Sequence, residues 1–222
     1  RGTGCLLTMS EIAPTILAET PDDYKATVEQ YHAFAKRVHI DLTDGEFAPT
    51  FTVGVNQLWW PQEWQVDIHA MVSHPSQYVD ALIQMKPHSI IFHAETNEDL
   101  LPTIQKIKAA GIKAGVALLK QTVPEMVHNY VENADHVLVF SGNLGHYGGS
   151  ASLMQLEKVR LIRNIHPTVE VGWDGGANIE NAFSLSQGGV DVVNCGNVIH
   201  SAPDPAIVYK QLVDEINKHS VI

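Results

Sequence analysis

Eight strand-like runs, each followed by a stretch with helical punctuation, constrain this chain more than any other feature. The runs are EIAPTIL, RVHIDL, QVDIHAM, HSIIFH, KAGVALL, HVLVFS, VEVGWD and VDVVNC. Between them, Thr20-Pro21-Asp22-Asp23 supplies an N-cap, a proline at the first helical position and early acid, with Tyr24, Val28 and Tyr31 on one face. Asn97 is placed to cap a helix carrying Leu100, Ile104 and Ile107, stopped by Gly111. Leu156, Val159 and Ile162 form another stripe, as do Val208, Leu212 and Ile216 after Pro203-Asp204-Pro205. VNQLWWPQ, after the second strand, is too short for a full helix, and its tryptophans, with Trp64, are expected in packing.

No linker or low-complexity tract divides the 222 residues. Alternating strands and helices in one such domain predict an α/β fold, a single-domain (β/α)8 TIM barrel over residues 9–222. The competitor is a doubly wound open sheet, which normally shows a G-x-G-x-x-G turn after its first strand; APTILAETP has none. Residues 1–8, RGTGCLLT, read as leader or appended residues, because Leu6-Leu7 is too short for a signal-peptide core and Met9 directly precedes the first strand.

A formal charge of −11 argues against nucleic acid as a partner, since nothing offsets phosphate repulsion. No apolar run approaches membrane-spanning length. Cys5 and Cys195 are too few and too far apart for a disulfide framework, so the expected compartment is reducing and cytoplasmic.

The second strand, VHIDL, alternates apolar Val38, Ile40 and Leu42 with ionisable His39 and Asp41. In a barrel of this class, reactive groups gather where strands end. The third strand brings His69 to that end, followed by Met71; the fourth ends at His93 and the seventh at Asp174. Asp67 lies deeper in its strand and reads as structural. Any one histidine at a strand end is more often a hydrogen-bonded rim residue, and 12 histidines make coincidence common. Joint placement raises the odds. Two histidines and two carboxylates from three strands can meet around one divalent metal ion, with Zn, Fe, Mn or Co suited to such donors. His93 is placed to support that set or to line the pocket.

Glycines recur in the loops after the last three strands, in NLGHYGGS (143–150), DGGAN (174–178) and CGN (195–197). Such loops let backbone N–H groups approach an anion, and the barrel's usual phosphate site lies there.

These residues carry a resemblance. The chain resembles the ribulose-phosphate 3-epimerase family from Glu11 onward, through APTILA, HIDLTDGEFAPTFT, DIHAMVSHP, IIFHAE and VGWDGG. The H-x-D-x-x-D-G and D-x-H-x-M pair is the specific part. The resemblance implies a metal held by His39, Asp41, His69 and Asp174, with Asp41 and Asp174 as the catalytic acid and base. It implies a substrate contacted by Thr15, Thr43, Met71, His93 and Ser141, and a phosphate surrounded by Gly148, Gly149, Gly175, Gly176, Gly196 and Asn197. It further implies a homo-oligomer that inverts C3 of a ketose phosphate, D-ribulose 5-phosphate to D-xylulose 5-phosphate. A six-carbon ketose phosphate, or a barrel that binds sugar phosphate without catalysis, are the alternatives. A decarboxylase of the orotidine-phosphate type is disfavoured, because its strand motif needs a lysine that DIHAMVS lacks. Thr43 replaces a family methionine, LKQTVP replaces Asn-Pro-x-Thr-Pro, NLGHYGGS is one residue longer than usual, and Asn197 replaces a serine.

Overall fold

The eight runs form a ring of parallel strands: β1 (Glu11–Ile16), β2 (Arg37–Thr43), β3 (Gln65–Met71), β4 (Ser89–His93), β5 (Lys113–Leu118), β6 (His136–Phe140), β7 (Glu170–Asp174) and β8 (Val192–Cys195). Each pairs with its sequence neighbour, and β8 closes onto β1 through Glu11 to Pro14. The computed structural model describes residues 10–218; Cys5, Met9 and the expected leader lie outside the described residues.

Outside the ring pack α1 (Pro21–His32), α2 (Val79–Met85), α3 (Leu101–Ala109), α4 (His128–Asn133), α5 (Glu157–Ile165), α6 (Ala182–Gln187), α7 (Asn197–His200) and α8 (Pro205–Ile216). In α1, Thr20 Oγ1 accepts from Asp23 N–H at 3.2 Å, and Tyr24, Val28 and Tyr31 are buried. Asp204 caps α8 through the N–H groups of Ala206 and Ile207, and Leu212 and Ile216 are buried. None of the helices among the described residues is long and apolar enough to cross a membrane.

One connection differs from expectation, and a second, read as too short for a full helix, proves to have none. Helix α3 starts at Leu101, whose N–H donates to Asp99 Oδ1 at 3.1 Å, and Asn97 does not cap it. Pro102 explains the shift: in the first turn its missing N–H costs nothing, whereas a helix begun at Asn97 would put it past the first turn. Gly111 follows the helix at φ 76°, as a left-handed stop. The β2–β3 connection has no α-helix, only a single 3-10 turn at Val55–Gln57. Pro61 biases Trp60 to extended backbone and halts the helical path. That segment is pinned instead by Tyr24, whose hydroxyl donates to Trp59 O at 2.7 Å, and by buried Trp64.

Outward-facing strand residues such as Val38, Ile40, Val66, Ile68, Ile90 and Val116 join the helices in one apolar layer. Inside the ring, Ile91, Ala117 and Leu138 form a separate small cluster. Below it, at the strands' starting ends, lies a buried ionic plug. Arg37 donates through Nε to Asp67 Oδ2 (2.6 Å) and through Nη1 and Nη2 to both oxygens of Glu170 (3.0 and 2.8 Å). Ser89 Oγ donates to Asp67 Oδ1 at 2.6 Å, and His136 Nδ1 lies 2.8 Å from Glu170 Oε2. Asp67 thus has the structural place its depth suggested.

Burial works against ionising Glu170 and Asp67, but His136 and Arg37 for the first, and Arg37 for the second, hold both below the usual carboxylate range. Carboxylates depressed in this way stabilise the fold above their unfolded pKa of about 4 and lose that contribution as the pH falls further. Urea unfolding is therefore expected to show stability declining below about pH 4. At pH 7, Arg37→Met is expected to cost about 3–5 kcal/mol by stranding buried acids. A loss under about 1 kcal/mol would mean the plug does not stabilise the fold.

Candidate active site

The polar face of β2 points into the ring at its carboxyl end. Parallel pairing sets Asp41 beside His69 on β3 and His39 beside Thr15 on β1. Asp174 ends β7 and reaches in from the far side, its carbonyl accepting from Ser141 N–H at 2.7 Å. All four side chains are buried, and one ligand atom from each lies within 4.8 Å of the others.

The individual spacings are informative. His39 Nε2 is 3.3 Å from Asp41 Oδ1 and 3.9 Å from Asp174 Oδ2, while His69 Nδ1 is 2.9 and 3.6 Å from the same two oxygens. Donors at ~2.1 Å around a tetrahedral ion would stand ~3.4 Å apart, inside this range. Neither ring nitrogen of His39 has a hydrogen-bond partner, although the residue is fully buried. A buried imidazole without a partner is costly unless something else satisfies it. The donor set and the orphaned nitrogens fit a divalent cation.

The electrostatics split the two acids. Burial and the Asp41 charge push Asp174 above the usual carboxylate range. Burial also opposes ionisation of Asp41, but His39 and His69 outweigh it and hold Asp41 below that range. For His39, burial disfavours the charged form, yet Asp41 and Asp174 together raise its pKa. Burial pushes the neighbouring His93 down to about 4.

Above these residues opens a cavity of about 360 Å³, within the range of small-molecule sites. Thr15, Asp41, Met71 and Asp174 line its floor, and Gly148, Gly149, Gly175, Gly176, Gly196 and Asn197 line its wall. His39 and His69 sit just beneath. Thr43, His93 and Ser141 are buried but do not line the cavity. His93 Nε2 lies 2.8 Å from His69 Nε2, and Ser141 Oγ accepts from Ser152 N–H at 3.0 Å, bracing the loop after β6. None of the lining residues is lysine or arginine; the side-chain donors there include His146, Tyr147, Ser201 and several asparagines, set among glycines. Gly175 is required sterically: at φ 105° an added Cβ would stand 2.0 Å from Gly142 N. The β6 and β7 loops interlock through that contact.

Three contributors escaped the sequence reading. Phe140 packs its ring 5.7 Å from His69 and 5.5 Å from His93. Asn194, inside β8, has both amide atoms buried without partners, and the alternation of VDVVNC could have revealed it. Tyr147 was read only as part of a glycine loop. Its hydroxyl accepts from Leu17 N–H (2.8 Å) and donates to Thr15 O (3.2 Å), tying the β6 loop across the mouth to β1. Tyr147→Phe is expected to leave the fold intact while costing about 0.5–1.5 kcal/mol. Amide exchange at Leu17 should then accelerate; unchanged protection would mean that the tie does not hold the loop.

Comparison with known proteins agrees with this geometry. Residues 11–200 match the model of the ribulose-phosphate 3 epimerase family. The chain is 30% identical over 212 residues to ribulose-phosphate 3-epimerase of Helicobacter pylori strain J99, covering 91% of this chain and 96% of that one. It is 27% identical over 219 residues to the enzyme of that name from Schizosaccharomyces pombe, covering 96% of each. Among solved structures, 3-hexulose-6-phosphate synthase from Salmonella typhimurium superposes with a TM-score of 0.69 over 93% of this chain and 98% of that one; at 17% identity the likeness is of fold alone. With a closed eight-stranded barrel, a buried His/Asp cluster and a family match across most of its length, the chain belongs to the ribulose-phosphate 3-epimerase family.

Proposed function

We propose that this protein inverts C3 of a ketose phosphate, converting D-ribulose 5-phosphate to D-xylulose 5-phosphate, with Asp41 and Asp174 exchanging protons with the substrate. The observation that carries this reading is the pair of buried carboxylates, one from β2 and one from β7, that meet two histidines on one cavity floor, with burial and the Asp41 charge raising Asp174 while the histidines lower Asp41. Epimerisation beside a ketone removes a carbon-bound proton from one face and returns one to the other. It needs one ionised and one protonated acid.

Asp41 is the group held ionised. Its Oδ1 faces the histidines, which leaves Oδ2 to take the C3 proton as the C–H electron pair moves toward the ketone. Asp174, whose pKa is raised, takes the part of the acid; its Oδ2 faces the histidines, which leaves Oδ1 to deliver a proton to the opposite face of C3. In the reverse direction the roles exchange. A divalent metal ion held by His39, Asp41, His69 and Asp174 would supply Lewis-acid stabilisation of the negative charge developing on the substrate oxygens, worth several kcal/mol. Zn, Fe, Mn and Co all suit that donor set. The glycine wall (Gly148, Gly149, Gly175, Gly176, Gly196) and Asn197 would receive the phosphate through backbone N–H groups. Thr15 and Met71 would flank the sugar on the floor, while Thr43, His93 and Ser141 would act from behind. On family resemblance, we extend the reading to a homo-oligomer in the cytoplasm.

Solvent deuterium should enter C3 of D-ribulose 5-phosphate faster than C3 of a six-carbon ketose phosphate. Binding without exchange would leave a sugar-phosphate-binding barrel in place of an enzyme. Asp174→Asn should lower turnover by about 10²–10⁴-fold with unfolding unchanged; wild-type-like turnover would refute the assignment. Dialysis against a chelator should abolish exchange, and one divalent metal should restore it. Full activity without metal would remove the Lewis-acid role.

A further inference from the structure

Behind the four clustered residues runs a line of hydrogen-bonding groups that ends at Glu95. His69 faces Asp41 with Nδ1 (2.9 Å) and His93 with Nε2 (2.8 Å between the two Nε2 atoms). His93 Nδ1 in turn lies 3.4 Å from Glu95 Oε2. The other carboxylate oxygen of Glu95, Oε1, accepts from the N–H of Leu119 at 2.9 Å. Phe47 and Phe140 cover the His93 ring, which is fully buried.

The direction of this line is not free. A peptide N–H only donates, and an ionised carboxylate only accepts. Leu119 therefore holds one oxygen of Glu95, and the other accepts from His93, which must carry its proton on Nδ1. A neutral imidazole has one ring proton, so His93 Nε2 is a lone pair and accepts from His69 Nε2–H. With His69 neutral, as a metal ligand must be, its Nδ1 is then a lone pair as well, aimed at Asp41 and Asp174. A lone pair facing a carboxylate at 2.9 Å is repulsive unless a cation lies between them.

We propose that Glu95 is a positioning residue: through His93 it fixes the ring proton of His69 on Nε2 and keeps Nδ1 open to a cation. This deepens the reading of the cluster as a metal centre and rests on it. Outer partners that fix a ligating histidine's tautomer raise its metal affinity. The line also joins the centre to the loop after β5. Lys158 on α5 holds the same loop, donating to Leu119 O (2.5 Å) and Lys120 O (3.1 Å).

Glu95→Gln is the sharp test because shape is kept and polarity is not. The amide oxygen must go to Leu119 N–H, which turns the amide NH₂ toward His93 Nδ1 and forces the His93 proton onto Nε2. His69 then carries its proton on Nδ1, where the metal should bind. Ring-nitrogen NMR on the full chain labelled with ¹⁵N-histidine should show His93 protonated at Nδ1 and His69 at Nε2. In Glu95→Gln the His93 proton should move to Nε2. Zn²⁺ affinity, measured by competition with a chromophoric chelator, should fall about 10–100-fold, with far-UV circular dichroism unchanged. A His93 protonated at Nε2 in the unaltered chain would overturn the proposal, as would undiminished Zn²⁺ affinity in Glu95→Gln. The ring pattern of the unaltered chain decides the matter even if the variant does not fold. Absence of Zn²⁺ binding by the unaltered chain would instead refute the metal reading, and the His93 ring pattern would still judge the relay.

Discussion

In-register pairing of β2 with β3 is the interaction on which the rest of this structure depends. It aligns Arg37 with Gln65, His39 with Asp67 and Asp41 with His69. Strand side chains alternate, so a slip of one residue would turn Val38, Ile40 and Leu42 into the ring and drive Arg37, His39 and Asp41 into the apolar layer. Burying a charge without a partner costs several kcal/mol, so the register is strongly specified. One alternation thus builds the outer core and the reactive floor together.

The interior has two polar storeys with an apolar one between. Along β4, Ser89 serves the lower plug, Ile91 packs in the middle and His93 supports the upper cluster. Along β6, His136 serves the plug, Leu138 packs in the middle and Phe140 packs against the upper histidines. In the lower storey each acid has a fixed cationic partner, because Arg37 is divided between Asp67 and Glu170. In the upper storey, two acids meet two imidazoles, and neither lysine nor arginine lines the cavity above. The lower acids have a built-in arginine and the upper ones have none, which marks the upper end as the functional one.

The upper cluster is held from several sides. Glu95 and His93 approach from β4 and its loop, while the β6, β7 and β8 loops cross the mouth. Glycine lets those loops interlock closely, and the Tyr147 hydroxyl ties the β6 loop back to β1. The centre is therefore held below by the strands and braced above by interlocked loops.

Much of this was legible in the residues alone. All eight strands were, because short apolar runs with turn residues between them have few other uses. His39, Asp41, His69 and Asp174 were legible because strand period says which side chains face inward and barrel topology says which end matters. The start of α3 and the helix-free β2–β3 connection were misjudged or left open, since Pro102 and Pro61 act locally against the hydrophobic pattern. What only the tertiary structure decided is which inward groups touch. Thr43, His93 and Ser141 stand behind the cavity, while Tyr147 and Phe140 line it. Strand period depends on residues two apart, so it is written in the chain itself. Contacts between residues such as Tyr147 and Leu17, 130 positions apart, exist only once the ring has closed.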